Sequence, residues 1–506
     1  MLGTVYLVGA GPGDPGLLTL RGAECLRSAD VVLYDYLASP ELLVGLRPDV
    51  ELVCLGKHGR GRLLSQTEIN DRMIREALRG RAVVRLKGGD PSIFARLNEE
   101  LAALQAAAVP YEIVPGVTAA QASASHAGIP LTNRDEASCV AFVTGQESAD
   151  KLSGTELDYA ALAQFPGTIV FYMGVTTAPE WSRALVAHGK SPQTPVAIVR
   201  HCTLSDQQTI FTTLAEVADH LGHGKLRPPA IVIVGEVAAA PSAVNWFTLR
   251  PLFGRTVLVT RPERQIESMA AKLRQLGAGT LMQPAIEISE PRDWKPVDDA
   301  IARLADFNWL VFSSSNGVHY FLRRLLALGG DLRALGGLYL AAIGPATVEA
   351  LAEYHLTADV DPESYRAEAL ADALAPHAVR NRFLLARASR GREVLAEMIT
   401  AAGGEITQVV VYESNEVAQP SDDVLAALQA GRISWTTVTS SAIARALVGM
   451  FGEALRKTKL AAISPLTAEV LTNLGHPPAV VAESYTTDGI IIAILAAEKK
   501  YRPGKL

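Results

Sequence analysis

The chain has 506 residues, 49% of them apolar, and a formal net charge of −6. That length predicts about two to four domains with full hydrophobic cores. The mild acidity excludes a general nucleic-acid-binding surface.

In chain order, the first predicted strands are Val5–Gly9, Val31–Tyr34 and Val83–Leu86, separated by helical patterns. This is an α/β signature and it runs to about Ala137. The first strand leads into Gly9-Ala10-Gly11-Pro12-Gly13-Asp14, with Asp35 further on where a dinucleotide fold carries its ribose-binding acid. Two residues oppose that reading. The third glycine of the fingerprint is replaced by Asp14, and Pro12 has no N–H to offer a pyrophosphate. A glycine-rich loop approaching an uncharged or cationic ligand fits better. A second such loop follows the apolar run Ala82–Leu86, in Arg85-Leu86-Lys87-Gly88-Gly89-Asp90-Pro91. Gly88 and Gly89 leave the backbone open, Asp90 is a fixed acceptor and Pro91 stiffens the exit.

From Val140 to Gly235, five extended runs alternate with helices at Thr176–His188 and Leu214–Leu221. The runs are Val140–Thr144, Thr168–Met173, Val196–Arg200, Thr209–Thr213 and Ala230–Gly235. They predict a second α/β lobe with a mixed sheet. Pro241–Phe247 reads as a linker, and a boundary falls near Asn245–Gly254. Beyond it, Arg255–Pro262 opens a new strand–turn–helix unit.

The remainder contains an internal repeat. Trp309–Ser315 is echoed by Trp435–Ser441, Ala341–Thr347 by Ala461–Thr467, and Glu363-Ser364-Tyr365 by Glu483-Ser484-Tyr485. Arg255–Ser289 is echoed more weakly by Arg382–Ser414. The spacing stays nearly constant, which marks a duplication. Two like α/β lobes predict a cleft between them, lined by the repeated Ser, Thr and Gly-Pro loops at strand carboxyl ends.

Cys25, Cys54, Cys139 and Cys202 have no metal-ligand spacing and no paired framework, and read as small core residues in a reducing cytoplasm. Met1-Leu2-Gly3-Thr4 lacks the pattern of a signal peptide, and the apolar run Ile490–Ala497 is too short to span a bilayer. The expectation is a soluble cytoplasmic protein without metal, membrane or nucleic-acid partners.

One ordered set of motifs resembles the uroporphyrinogen-III C-methyltransferases. It comprises Val8–Asp14, Tyr34-Asp35, Gly56-Lys57, Val84–Pro91, Val114–Ala119, Gly128–Thr132 with Arg134-Asp135, and Phe171–Gly174. The resemblance covers about residues 3–248. It implies a two-lobed tetrapyrrole-methylase module over 1–248, with lobes 1–137 and 138–248. It also implies S-adenosyl-L-methionine as methyl donor, methylation of uroporphyrinogen III at C2 and C7 to precorrin-2, and dimerisation through this module. The cofactor contacts carried over are Pro12, Gly88, Gly89, Asp90, Ile93, Thr118, Ala119, Met173 and Ala230, and the acid/base groups are Asp35 and Lys57. Arg85, Lys87, Arg134 and the run Lys57–Arg62 are candidate partners for the substrate carboxylates. Two departures stand out. The family's Phe-Gly-Arg-Gly-Gly-Glu-Glu is Phe94-Ala95-Arg96-Leu97-Asn98-Glu99-Glu100 here, and its late Gly-Thr is Cys202-Thr203. They put in question the substrate-binding role of the first loop and a cofactor contact at 202.

Val259–Pro262, Phe312–Gly317, Ile343–Thr347, Arg387 and Val411-Tyr412 resemble uroporphyrinogen-III synthases, over about residues 254–497. This implies a module over 249–506 with lobes 254–286 plus 413–497, and 287–412, the chain crossing near Pro284–Ile288 and Val410–Ser414. It implies cyclisation of hydroxymethylbilane with no cofactor. Tyr412 is the group placed to assist hydroxyl loss. Ser314, Ser315, Thr347, Ser440, Ser441 and Thr467 offer hydroxyls, and Arg261 and Arg387 offer charge. Each Ser or Thr equally suits a helix N-cap, and the two roles are compatible because a capped N-terminus also binds anions. The joint expectation is a fused enzyme taking hydroxymethylbilane to precorrin-2, on the sirohaem or cobalamin route. Its rivals are a methyltransferase for a later corrin intermediate, an NAD-dependent oxidoreductase, and a tetrapyrrole-binding protein without turnover.

Overall fold

The computed structural model describes residues 2–56, 64–147, 156–221, 226–239, 245–391 and 393–501. The chain packs as two compact units. One comprises residues 1–257, 269–281 and 494–506, the other residues 258–268 and 282–493.

In the first unit, β1 (Val5–Gly9), β2 (Val31–Tyr34), β3 (Glu51–Cys54), β4 (Val83–Lys87) and β5 (Tyr111–Val114) form a sheet in the order β3-β2-β4-β1-β5. Every pairing is parallel. Such a sheet is covered on both faces, so its strands are apolar almost throughout. Val5, Leu7, Val31, Leu33 and Val83 face Met73 and Leu104 on one side. Val8, Val32, Val84 and Leu86 face Cys25 and Leu26 on the other. The chain leaves β1 toward β2 and leaves β4 toward β5, in opposite directions along the sheet. The carboxyl ends of the neighbours β1 and β4 therefore form a topological switch point, where open α/β sheets bind ligands.

The second sheet is mixed, as expected. It comprises β6 (Val140–Thr144), β7 (Thr168–Tyr172), β8 (Pro195–Arg200), β9 (Gln208–Thr213) and β10 (Ala230–Val234), in the order β6-β7-β10-β8-β9. Only β6–β7 is parallel. The alanine-rich helix Ala119–Ala127 packs on one face against Val170, Val199, Ile231 and Ile233. Trp181 and Leu185 cover the other. β7 ends one residue earlier than expected because Met173 turns into the left-handed region, at φ +53°. The helices expected at 176–188 and 214–221 are shorter, Ala178–Ala187 and Val217–Leu221.

One expectation fails here. Cys54 is exposed rather than a core residue. The described end of the expected linker packs on the first unit. Trp246 donates its indole N–H to the Ser125 carbonyl at 2.9 Å, and buried Phe247 packs its ring edge on His126 at 4.8 Å.

Further strands are β11 (Thr256–Val259), β12 (Gly279–Met282), β13 (Ile286–Ser289), β14 (Trp309–Phe312), β15 (Tyr339–Ala342), β16 (Arg382–Ala388), β17 (Glu405–Glu416), β18 (Trp435–Val438), β19 (Lys459–Ala462) and β20 (Val480–Val481). They form sheets in the orders β12-β11-β18-β19-β20 and β13-β17-β16-β14-β15. The duplication is visible strand by strand. β14 leads through capping Ser314 into the helix Ser315–Ala327, and β18 leads through capping Ser440 into Ser441–Phe451. β15 leads into the helix Pro345–Ala352, and β19 into Pro465–Asn473. The two predicted crossing segments pair antiparallel, Ile286 opposite Glu416 and Ser289 opposite Glu413.

The carboxyl ends of β1 and β4 meet almost backbone to backbone. A Cβ at Gly9 would stand 2.6 Å from Gly116 Cα and 2.7 Å from Gly89 O. Gly9→Ala therefore forces these loops apart and lowers stability by about 1–3 kcal/mol. Thermal unfolding of the purified protein will show the lowered midpoint.

Candidate active sites

The loops after β1, β4 and β5 converge at the switch point. Gly11 and Gly89 exchange backbone hydrogen bonds, Gly89 N to Gly11 O at 2.7 Å and Gly11 N to Gly89 O at 3.2 Å. Gly89 holds φ +68° there, a conformation glycine adopts without penalty. Asp90 ties the third loop in. Its Oδ2 accepts the Gly116 N–H at 2.9 Å, and its Oδ1 accepts the Ser92 N–H at 2.8 Å. Thr118 Oγ1 lies 2.6 Å from the Tyr172 hydroxyl, which joins this rim to the end of β7. Tyr172 also accepts the Ala120 N–H, and burial raises its phenol pKa. The β7–β10 register, with Val232 opposite Phe171, brings Ala230 level with Met173. Ile93, Val117 and Ala119 pack against the same buried cluster, which includes Ala120, Val170 and Ile231. Pro12, Gly88, Gly89, Asp90, Ile93, Thr118, Ala119 and Ala230 are all half-buried, and Met173 is 48% exposed. Gly89, Asp90 and Thr118 of the expected cofactor residues are thus linked along one rim, with Gly11, Gly116 and Tyr172. Three glycine backbones, a proline and a carboxylate suit a cationic, hydroxyl-bearing ligand and not a phosphate.

Asp35 follows β2 on the same edge of the sheet. Its Oδ1 accepts the Leu37 N–H at 3.0 Å, and its Oδ2 lies 3.5 Å from both terminal nitrogens of Arg85. Lys57 and the run to Arg62 fall outside the described residues. Arg134 is exposed in the turn closed by Asn133 and Ala137.

Arg85 and Lys87, expected as partners for substrate carboxylates, are buried and engaged by a carboxylate of the protein itself. They are 6% and 3% exposed, and Glu100, fully buried on the helix Leu97–Ala106, stands between them. Arg85 Nε donates to Glu100 Oε1 at 3.3 Å, and Lys87 Nζ donates to Glu100 Oε2. Burial pushes the Lys87 amine below the ordinary lysine range. Glu100 was missed as a functional group. The signal was present: Val83, Arg85 and Lys87 alternate onto one face of β4, and Glu100 lies one helical turn before the buried Leu104.

The loop that lacks the family's glycines holds two non-glycine residues in the left-handed region, Phe94 at φ +51° and Arg96 at φ +56°. Leu97 and Asn98, where that family has glycines, begin the helix. Arg96 clamps Glu99 with two hydrogen bonds of 2.7 and 2.6 Å. Cys202 is buried, and burial raises its thiol pKa.

In the second unit, Tyr412 on β17 is 7% exposed and hydrogen-bonds Ser314 Oγ at 3.0 Å. Its ring stacks on Tyr320 at 5.8 Å, and burial raises its phenol pKa. Ser314 and Ser440 act as helix caps, accepting the N–H of Gly317 and of Ile443, each at 3.1 Å. Ser315 and Ser441 are the half-buried first residues of those helices. Thr347 and Thr467 are buried and do not offer free hydroxyls. Thr347 donates to the Ile343 carbonyl at 2.8 Å, and Thr467 shares its hydroxyl with Ser464. Arg387 is likewise engaged, by Glu393, Gln408 and the carbonyls of Ala388 and Gly391. Arg261 differs. It bonds only neutral groups, Gln265 at 2.7 Å and the Thr487 hydroxyl, its Nε has no partner, and burial lowers its pKa. Among the described residues no carboxylate answers it.

Removing Glu100 leaves two cations buried without that anion. Glu100→Ala is expected to destabilise the protein by about 3–5 kcal/mol. Denaturant unfolding measures this, and the loss exceeds that for Glu99→Ala at the exposed Arg96 pair.

Two family models match the chain. The Tetrapyrrole (Corrin/Porphyrin) Methylases match residues 4–218, and Uroporphyrinogen-III synthase HemD matches residues 267–492. The porphyrin biosynthesis protein HemD of Ruminiclostridium josui is 33% identical, over 97% of this chain and 98% of that protein. The uroporphyrinogen-III C-methyltransferase of Bacillus subtilis is 38% identical over 72% of this chain and 74% of its own length. Siroheme synthase 1 of Yersinia enterocolitica is 48% identical over 49% of this chain, and about half of that protein is spanned. With both family models on one polypeptide and a relative matched from end to end, the chain belongs to the porphyrin biosynthesis family that joins a tetrapyrrole methylase to a uroporphyrinogen-III synthase.

Proposed function

We propose that this enzyme cyclises hydroxymethylbilane to uroporphyrinogen III and methylates the product at C2 and C7 to precorrin-2, on the sirohaem or cobalamin route. The observation that carries this is the pairing of the two families on one chain, since one makes the substrate of the other.

When bound, S-adenosyl-L-methionine supplies an electrophilic methyl group. Gly88, Gly89, Asp90, Pro12, Thr118, Ala119, Met173 and Ala230 would hold it. Alignment of donor and ring carbon is then the main task of the protein. Asp35, oriented by the Leu37 N–H and Arg85, takes up the proton the ring releases. Lys57 is its proposed donor partner. Arg134 receives a substrate carboxylate as a solvent-facing cation.

In the synthase part, burial keeps the Tyr412 phenol protonated, so it donates a hydrogen bond to the departing hydroxyl. Ser314 holds that phenol in place. Arg261, with no carboxylate partner among the described residues, offers its charge to a substrate carboxylate, and the capped helix ends at Ser314-Ser315 and Ser440-Ser441 offer backbone N–H groups to others. This part is proposed to need no cofactor. The protein is proposed to act in the cytoplasm, as a homodimer through its methylase part.

Purified protein supplied with hydroxymethylbilane is expected to give uroporphyrinogen III alone, and a two-methyl product once S-adenosyl-L-methionine is added, as read by mass. A bilane that closes only to the uninverted isomer rejects the synthase reading. Asp35→Asn is expected to slow methylation at least about a hundred-fold while cyclisation continues. Tyr412→Phe is expected to slow cyclisation by about a hundred-fold while supplied uroporphyrinogen III is still methylated.

A further inference from the structure

We infer that Thr203 is a positioning residue of the methyl-donor site, its side-chain hydroxyl acting as the latch that fixes the glycine-rich loop Gly11–Asp14. The inference rests on the proposed methylase reading, which places Pro12 of that loop against the donor.

Thr203 lies in the connection between β8 and β9, far from the loop in sequence. Its Oγ1 accepts the Asp14 backbone N–H at 2.9 Å across a separation of 189 residues. The loop is thereby held at both ends. Gly11 is tied to Gly89 on the first sheet, and Asp14 is tied to Thr203 beside the second. Pro12, between the anchors, has a fixed φ and no N–H of its own, so its place is set by those two points.

Thr203 adopts φ +70°, an unusual conformation for a β-branched residue. Strain of this kind persists only where surrounding contacts over-determine it. Here the Thr203 N–H bonds Gln207 Oε1 at 3.0 Å, and Gln207 Nε2 bonds the His126 carbonyl at 3.1 Å. The Leu204 N–H bonds the His201 carbonyl at 3.1 Å, and Ser205 O accepts the Gly254 N–H at 3.0 Å. The receiving side is shaped to match. Gly13 holds φ +146°, and a Cβ there would lie 3.1 Å from Thr203 Oγ1 and 3.0 Å from Leu204 Cδ2, so a side chain at this position would be strained and would push on the latch. The neighbouring Cys202 points its thiol into the core and takes no part in the latch.

The test compares Thr203→Val, which keeps the branched shape and removes the acceptor, with Thr203→Ser, which restores it. Without the acceptor a part-buried N–H goes unpaired. Thr203→Val is therefore expected to raise KM for S-adenosyl-L-methionine about ten-fold. KM for uroporphyrinogen III and the rate of bilane cyclisation should stay at wild-type values, and Thr203→Ser should behave as wild type. An unchanged KM for the donor in Thr203→Val overturns the inference. So does a parallel rise in both KM values with a lowered thermal midpoint that Thr203→Ser fails to correct, because that marks a general folding defect. Wild-type protein that transfers no methyl group to uroporphyrinogen III rejects the methylase reading itself, and this inference with it.

Discussion

Two cations can stand inside the first sheet because the Glu100 carboxylate stands between them. Burying a charge costs several kcal/mol, and breaking such a pair leaves that cost unanswered. Much of the methylase rim depends on this arrangement. Arg85, held by Glu100, reaches across to Asp35, so the position of the proposed base depends on the helix that carries Glu100. That helix starts at Leu97, directly after the left-handed residue Arg96. A loop that departs from the family's glycines thus supports the same edge of the sheet. Gly9 and Gly116 let these loops approach where any side chain would collide, and Gly89 between them holds a left-handed φ of +68°.

The second unit solves a different problem with simpler means. Its repeated strand–helix turns use serine caps to satisfy backbone N–H groups at helix starts. Ser314 has a second task, since its hydroxyl also holds Tyr412. The corresponding Ser440 caps its helix in the other copy. The duplicated scaffold is therefore nearly symmetric, while its chemistry is not. Tyr412 sits on β17, one of the two crossing strands, and both of these join the same sheet.

Fold and site were legible in the sequence to different depths. Most strands of the first half were visible as apolar runs, and the repeat betrayed the duplication, because both follow from burial patterns. The motif order gave the rim, since loops after parallel strands converge at one edge whatever their sequence separation. What failed was the direction of individual side chains. Arg85 and Lys87 lie in a run that suggested ligand contact, yet strand alternation turns them to the face covered by Glu100. Thr347 and Arg387 met a similar end, their polar groups being claimed by local partners, the Ile343 carbonyl and Glu393. Thr203 could not be foreseen as a latch, because its partner Asp14 is brought to it only by tertiary structure.

The path of the chain through the second half carries a consequence for how the protein is made on the ribosome. Thr260 bonds the Thr437 carbonyl, and Thr437 bonds the Leu258 carbonyl, across separations of 177 and 179 residues. β11 therefore emerges long before β18, its neighbour in the sheet. The strands β13 to β17 lie entirely within that interval and can pair as soon as they are complete. Their collapse brings the two ends of the interval together and shortens the effective loop that β11 and β18 must close. The inserted lobe acts in this way as a template for the discontinuous one, and synthesis order follows from connectivity alone.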